Sequence, residues 1–174
     1  MRRMTIVTLL AFGCLVCLGA VSPGRLHFKT TGFSIEPLET PPGRTPHQAL
    51  MMFLPASDGF APNVNVQVQP YAGTIGEYAA LSRKQFVAAK FKPIKETRLG
   101  KAAVLLEYSG KLQGRSLHWY AKAVSTGTTV YLATATATET QWRTAAGRLK
   151  ACVDSLGAAR PERGADGGTG PRTP

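Results

Sequence analysis

The feature that most constrains this fold is a run of three strand-like segments at residues 102–109, 116–125 and 129–138. Short turns at Gln113-Gly114 and Thr126-Gly127 would join them as consecutive hairpins. With the turns at these positions, the registers of the two hairpins agree with each other. The sequence therefore predicts a three-stranded antiparallel unit.

Both faces of this predicted unit are substantially apolar. The first face collects Val104, Leu106, Tyr108, Trp119, Ala121, Ala123, Val130 and Leu132. The second face collects Leu105, Glu107, His118, Tyr120, Lys122, Val124, Tyr131, Ala133 and Ala135. A sheet with one solvent-exposed face would leave one of these apolar faces in water, so we expect another element to cover each face.

A first covering helix is predicted to begin at Thr74, because Thr74 and Glu77 have the spacing of a capping box. We expect this helix to run to about Lys90, since Pro93 disfavours helical geometry in the residue before it. Apolar residues recur along the segment at helical spacing.

A second covering helix is predicted after Thr138, which forms a capping-box pair with Gln141. Its apolar stripe continues to Leu156, and Gly157 is expected to cap its end. Cys152 falls on this stripe, and we interpret it as a small core residue rather than a reactive thiol.

Further strands are predicted at residues 32–35, 48–54, 63–69 and about 94–99. Residues 63–69 alternate polar side chains with valine, which indicates a half-buried strand. The continuous apolar run at 48–54 predicts a buried strand. The fold class is therefore α+β, with an antiparallel sheet of about six strands sandwiched by two main helices.

The two ends of the chain differ from its centre. Residues 1–22 combine Arg2 and Arg3 with a short apolar run, which predicts a signal peptide or an N-terminal membrane segment. Cleavage, an uncleaved anchor and lipidation at Cys14 remain open, and all three imply export to the periplasm or another extracytoplasmic space. Residues 158–174 lack large apolar side chains and predict a disordered tail. A single domain is expected over 25–157.

The chain is strongly basic, with 21 Lys and Arg against 10 Asp and Glu. Such a charge favours an anionic lipid or polymer surface, or an acidic protein, although it could also serve solubility alone. No nucleic-acid module is recognisable, so nucleic acid is not favoured as a partner. The cations concentrate in one segment, here called the basic strip: Arg83, Lys84, Lys90, Lys92, Lys95, Arg98 and Lys101.

Residues with catalytic chemistry are sparse. His27, His47 and His118 have no histidine or cysteine neighbour at metal-ligand spacing, and no phosphate-binding glycine loop is present, so neither a metal nor a cofactor is expected. The predicted register brings Glu107, His118, Tyr120 and Lys122 onto one face. They could form an acid–base site of a hydrolase-type enzyme, or cross-strand pairs that only stabilise the sheet.

Several segments resemble the exported PsbP-like and DcrB-like families. The likeness lies in residues 60–66, in Glu77-Tyr78, in residues 106–109, and in the run 130–137 that leads into Gln141-Trp142. It extends over roughly residues 28–157 and concerns mainly strand and packing positions. It implies an antiparallel sheet between helices.

The resemblance also implies a function class. Members of these families are non-enzymatic accessory, assembly or envelope-associated proteins, often with a leader or a lipid anchor, and no family active site can be transferred. The weak lipidation site at Cys14 departs from the anchored members. We therefore expect a non-catalytic exported protein that binds a protein partner or an anionic surface. A hydrolase-type enzyme and a structural lipoprotein-like module are the alternatives.

Overall fold

A computed structural model describes residues 25–28, 32–36, 38 and 45–158. The predicted leader and the predicted tail beyond residue 158 lie outside the described residues. The described residues form two compact units. The first is an antiparallel hairpin of β1 (Leu26–Phe28) and β2 (Phe33–Ile35), in which the Phe28 and Phe33 rings stack with their centroids 4.7 Å apart.

The second unit contains a six-stranded sheet in the order β3-β4-β8-β7-β6-β5, with every neighbouring pair antiparallel. This arrangement confirms the predicted α+β class and antiparallel sheet. The strands are β3 (His47–Phe53), β4 (Asn63–Pro70), β5 (Lys92–Leu99), β6 (Ala103–Leu112), β7 (Arg115–Ser125) and β8 (Thr129–Thr138).

The β6–β7 hairpin has the predicted turn. Gln113 and Gly114 both adopt positive φ angles, 51° and 79°, as a two-residue turn matched to the strand twist requires. In the resulting register Leu106 pairs with Ala121 and Glu107 pairs with Tyr120. The division of side chains between the two faces therefore agrees with the prediction.

Two helices cover the opposite faces of this sheet. Helix α1 (Ile75–Ala88) packs on the face that carries Val104 and Ala121, here called the α1 face. Helix α2 (Glu139–Asp154) packs on the face that carries Tyr120 and Ala135, here called the α2 face. Each helix therefore encloses its own apolar cluster against the sheet.

Both helix starts have the predicted capping boxes. Glu77 N donates to Thr74 Oγ1 over 3.2 Å, and Thr74 N donates to Glu77 Oε2 over 2.7 Å. At α2, Gln141 N donates to Thr138 Oγ1 over 3.2 Å, and Thr138 N donates to Gln141 Oε1, also over 3.2 Å. Each helix therefore satisfies backbone donors that its first turn would leave unpaired.

Both helix ends lie before the predicted positions. Helix α1 ends at Ala88, because Lys90 adopts a left-handed φ of 57° and Phe91 N then donates to Phe86 O. Helix α2 ends at Asp154, and the Ser155 hydroxyl donates to the carbonyl of Cys152. Ser155 therefore caps the helix two residues before Gly157, the cap expected from the sequence.

The prediction of a buried strand at 48–54 was wrong. Among the described strands, β3 has only β4 as a neighbour in the sheet, and Phe53 is 61% exposed. Met52 and Leu54 pack against the α2-face cluster, which accounts for part of the apolar run. Continuous hydrophobicity does not distinguish a central strand from an edge strand with one packed side.

Candidate functional site

The predicted sheet-face residues meet beneath helix α2. Glu107 on β6 and His118 on β7 project from adjacent strands, and Glu107 Oε1 lies 3.0 Å from His118 Nε2. Their side chains are 11% and 9% exposed, so the contact is largely shielded from solvent. The cross-strand pair expected from the sequence is therefore present.

Helix α2 adds two charged groups that the sequence reasoning missed. Lys150 Nζ lies 2.8 Å from the same Oε1 of Glu107. Glu139 Oε2, from the first turn of α2, lies 3.3 Å from His118 Nδ1. Both ring nitrogens of His118 thus contact a carboxylate, and the ring also stacks on Trp142 with the centroids 4.2 Å apart.

Tyr120 and Lys122 bind a different part of α2. The Tyr120 hydroxyl donates to Asp154 Oδ1 over 2.9 Å, and Lys122 Nζ donates to the Asp154 carbonyl oxygen over 2.6 Å. A cation at this position also interacts favourably with the C-terminal end of the helix dipole. These two residues therefore fasten the end of α2 to β7.

The local electrostatics follow from burial and from these contacts. Burial acts to raise the pKa of the Glu107 carboxyl, but the hydrogen bonds from Lys150 and His118 outweigh it and lower that pKa below its ordinary value. Burial, together with the hydrogen bond and negative charge of Asp154, raises the pKa of Tyr120 to about 12. At neutral pH the site therefore holds a carboxylate and an un-ionised phenol.

The space beside this cluster is small. A cavity of about 120 Å³ is lined by Lys95, Thr97, Leu105, Glu107, Tyr120 and Lys150. Pockets for drug-sized ligands enclose roughly 300–1,000 Å³. A carboxylate, an imidazole and an ammonium could exchange protons here, but the cavity admits only a very small substrate.

Strand β5 divides the basic strip between the two sides of the sheet. Lys95 lines the cavity on the α2 face, whereas the Arg98 guanidinium lies against Gly76 of helix α1. Arg83 pairs with Glu96 over 2.7 Å. The other cations, Lys84, Lys90, Lys92 and Lys101, are exposed. The strip therefore wraps around the β5 edge instead of forming one flat patch.

The other predicted features are easily placed. His27 lies on β1 and His47 begins β3, while His118 belongs to the ionic cluster that it forms with Glu107, Glu139 and Lys150. Among the described residues no group of His, Cys, Asp and Glu could hold a metal ion. Cys152 is half-buried against the apolar cluster of the α2 face, and burial raises the pKa of its thiol. No helix within the described ranges is long and apolar enough to cross a membrane.

The residues of α2 that complete the cluster share one helix face. Trp142, Ala146, Lys150 and Asp154 recur at intervals of four, which places them one above another towards the sheet. This spacing was the signal in the sequence that could have found Lys150 and Asp154. The apolar stripe alone does not reveal these two residues, because both are charged.

Comparisons with known proteins agree on the fold and go no further. No protein-family model matches the sequence, and no curated protein matches it. Among solved structures, the chain is similar to PA94 of Pseudomonas aeruginosa, a protein of unknown function and suggested regulator. The two share 20% identity with a TM-score of 0.53, covering 79% of this chain and 97% of that one. This likeness shows a shared α+β fold.

Proposed function

We propose that this chain is a non-catalytic exported accessory protein of PsbP-like and DcrB-like architecture, which binds an anionic surface through the basic strip. An anionic lipid headgroup layer is the ligand we favour, and an acidic face of a protein partner is the alternative. The order of sheet and helices in residues 45–158 supports the proposed architecture.

The non-catalytic part of the proposal rests on the contacts within the ionic cluster of Glu107, His118, Glu139 and Lys150. A general base must direct a free nitrogen or oxygen at the proton that it removes. Both nitrogens of His118 already contact carboxylates, and Glu107 is bound by Lys150 as well as by His118. The cluster is better explained as a set of partly buried ionisable groups that satisfy one another, which argues against the hydrolase alternative.

One observation carries the binding part of the proposal. Of the seven cations in the basic strip, Arg83 alone forms an ion pair within the described part of the chain, with Glu96. The six others therefore keep their charge available to an external anion. Near an anionic membrane surface each Lys or Arg contributes about 1 kcal/mol to binding at physiological salt. A structural lipoprotein-like module would not need this concentration of unpaired charge.

The test compares two variants with equal loss of charge. Lys84→Gln/Lys92→Gln removes two cations of the strip, and Arg143→Gln/Arg148→Gln removes two exposed cations of helix α2. Binding is measured by sedimentation with phosphatidylglycerol vesicles, using phosphatidylcholine vesicles as the neutral reference. We expect the strip variant to bind roughly thirtyfold more weakly and the α2 variant to bind nearly as well as the original protein.

Salt provides a second criterion. Binding through the strip should weaken steadily as ionic strength rises, because exposed charges are screened within about 10 Å at 0.1 M salt. All proteins in the comparison share the same N-terminus, so any insertion of that segment contributes equally. Equal losses in the two variants, or binding that does not change with salt, would contradict the proposal. Binding only to an acidic protein would support the alternative ligand.

A further inference from the structure

The α1 face contains a cleft that the proposed function does not use. It lies between helix α1 and the sheet, with a volume of about 250 Å³. Leu106, Ala121 and Leu132 form part of its apolar lining, while Leu81 and Gln85 lie exposed on α1 at its edge. A molecule entering from solvent would therefore pass the helix and reach the sheet.

The polar groups of this cleft are amides and hydroxyls. Gln67 and Gln69 project from the same side of β4, and Gln69 Nε2 donates to Gln67 Oε1 over 2.8 Å. The Tyr78 hydroxyl donates to Gln69 Oε1, also over 2.8 Å. This chain orients the Gln67 side chain and leaves its amide nitrogen free to donate into the cleft.

Other groups around the cleft have unused hydrogen-bonding capacity. Among the described residues that line the cleft, Gln67, Gln69 and Tyr78 share side-chain hydrogen bonds, whereas the side chains of Gln85 and Thr134 have none with another side chain. Asn65, which pairs with Thr134 in the β4–β8 register, has a buried side-chain oxygen that no described donor reaches. A buried acceptor without a donor costs about 1–3 kcal/mol. Polar capacity is therefore concentrated at this part of β4 and β8.

The cleft is also electrically neutral, since no charged side chain lines it. Two tyrosines contribute to the lining, and burial raises the pKa of Tyr78 and of Tyr108 to about 12. Both phenols therefore remain un-ionised at physiological pH. A ligand with a net charge would gain no ion pair here and would lose part of its hydration.

The aromatic side chains provide an apolar wall. Phe86 of α1 and Tyr108 of β6 stack with their ring centroids 4.1 Å apart. Both line the cleft opposite the glutamines of β4. A ligand that fits must therefore present both hydrogen-bonding groups and C–H groups to the lining.

We propose that this cleft binds a single neutral sugar ring. Sugar hydroxyls both donate and accept hydrogen bonds, which matches the amides of Gln67 and Gln85 and the hydroxyl of Thr134. The C–H groups of the ring would pack against Phe86 and Tyr108. The volume lies just below the roughly 300 Å³ at which sites for drug-sized molecules begin, which suits one ring.

Two other ligand classes fit less well. A lipid chain would leave the amide and hydroxyl groups of the cleft without partners, at the cost of unsatisfied polar groups. An extended peptide gains most of its affinity by pairing its backbone with an exposed strand edge. The cleft is lined by the inner strands β4, β6, β7 and β8, which are all paired on both sides.

The test titrates the isotope-labelled protein with D-glucose, D-galactose, D-mannose and N-acetylglucosamine, and with short oligomers of each. Nuclear magnetic resonance follows the side-chain amide signals of Gln67 and Gln85. We expect saturable shifts of these signals with at least one sugar. Gln85→Ala and Thr134→Val should each weaken binding by about three- to tenfold, the effect of one hydrogen bond. Thr144→Val, at an exposed position of helix α2 on the other face of the sheet, is the matched control for Thr134→Val and should leave binding unchanged.

The remaining outcomes are decisive. Equal affinity for a sugar and its oligomers would support a free monosaccharide as the ligand, whereas tighter binding of an oligomer would support the end of a polysaccharide. Gln85 lies exposed on α1, so its variant tests the proposal even if Thr134→Val fails to fold. The proposal is overturned if no sugar shifts the two amide signals, if tetra-alanine shifts them and sugars do not, or if Thr144→Val loses as much affinity as Gln85→Ala.

Discussion

The two faces of the sheet treat their polar groups in different ways. On the α2 face, Glu107, His118 and Lys150 are ionisable, and each contacts a partner that can carry the opposite charge. On the α1 face, Gln67 and Gln85 are neutral and retain hydrogen-bonding capacity. A buried charge without a partner is too costly to keep, whereas an amide at a cleft can be left to solvent or to a ligand. Capacity for a ligand therefore remains on the neutral face.

The largest expected effect is a difference in unfolding free energy between a substitution on the α2 face and one on the α1 face. Glu107→Ala should lower the free energy of unfolding by about 2–3 kcal/mol, because Lys150 and His118 lose their shared carboxylate in a largely buried site. Gln85→Ala on the α1 face should change it by less than about 0.5 kcal/mol. Urea denaturation with a common slope measures both values.

Glu107→Gln serves as the control for this comparison. It keeps the shape of the side chain and one hydrogen-bonding oxygen but removes the charge, so its loss should be smaller than that of Glu107→Ala. If Glu107→Ala and Gln85→Ala destabilise the protein equally, then the ionic contacts beneath α2 are not what distinguishes the faces.

A smaller effect is expected from pH. The pKa of Glu107 is lowered in the folded protein, so its contribution to stability is complete above the ordinary carboxyl pKa of 4.5 and is lost as pH falls through the lower folded value. The original protein should therefore lose more stability than Glu107→Gln between pH 5 and pH 3. Glu77, whose pKa is also lowered by its hydrogen bonds to Thr74, is common to both proteins and cancels in the difference.

Chemical denaturation at a series of pH values measures this difference. Above neutral pH, we expect Glu107 to cause no further change in stability with pH, since its carboxylate is already fully ionised there. A difference between the two proteins that stays constant down to pH 3 would show that the folded and unfolded states bind the Glu107 proton equally.

Local signals in the sequence predicted much of the fold. The Gln113-Gly114 turn fixed the β6–β7 register, and the register placed Glu107 and His118 on one face. The threonines at 74 and 138 located both helix starts within one residue. These signals succeed because the chemistry that they describe acts over only a few neighbouring residues.

The errors concern interactions between distant parts of the chain. The sequence predicts β3 to be a core strand, because its hydrophobic pattern does not reveal that β3 lies at the edge of the described sheet. The four-residue spacing on α2 indicates that Lys150 faces the sheet, but no local pattern indicates that its partner is Glu107, 43 positions earlier in the sequence. Strand β1 was missed because three residues are too few to show alternation.

Glu107 and Lys150 form a structural pair whose opposite charges stabilise each other. A double-mutant cycle of Glu107→Gln and Lys150→Met tests it directly, because the cycle isolates the energy of their interaction from the other effects of each substitution. Two groups whose charged atoms lie 2.8 Å apart should show a stabilising coupling of about 1 kcal/mol or more. A coupling below about 0.3 kcal/mol would contradict the account.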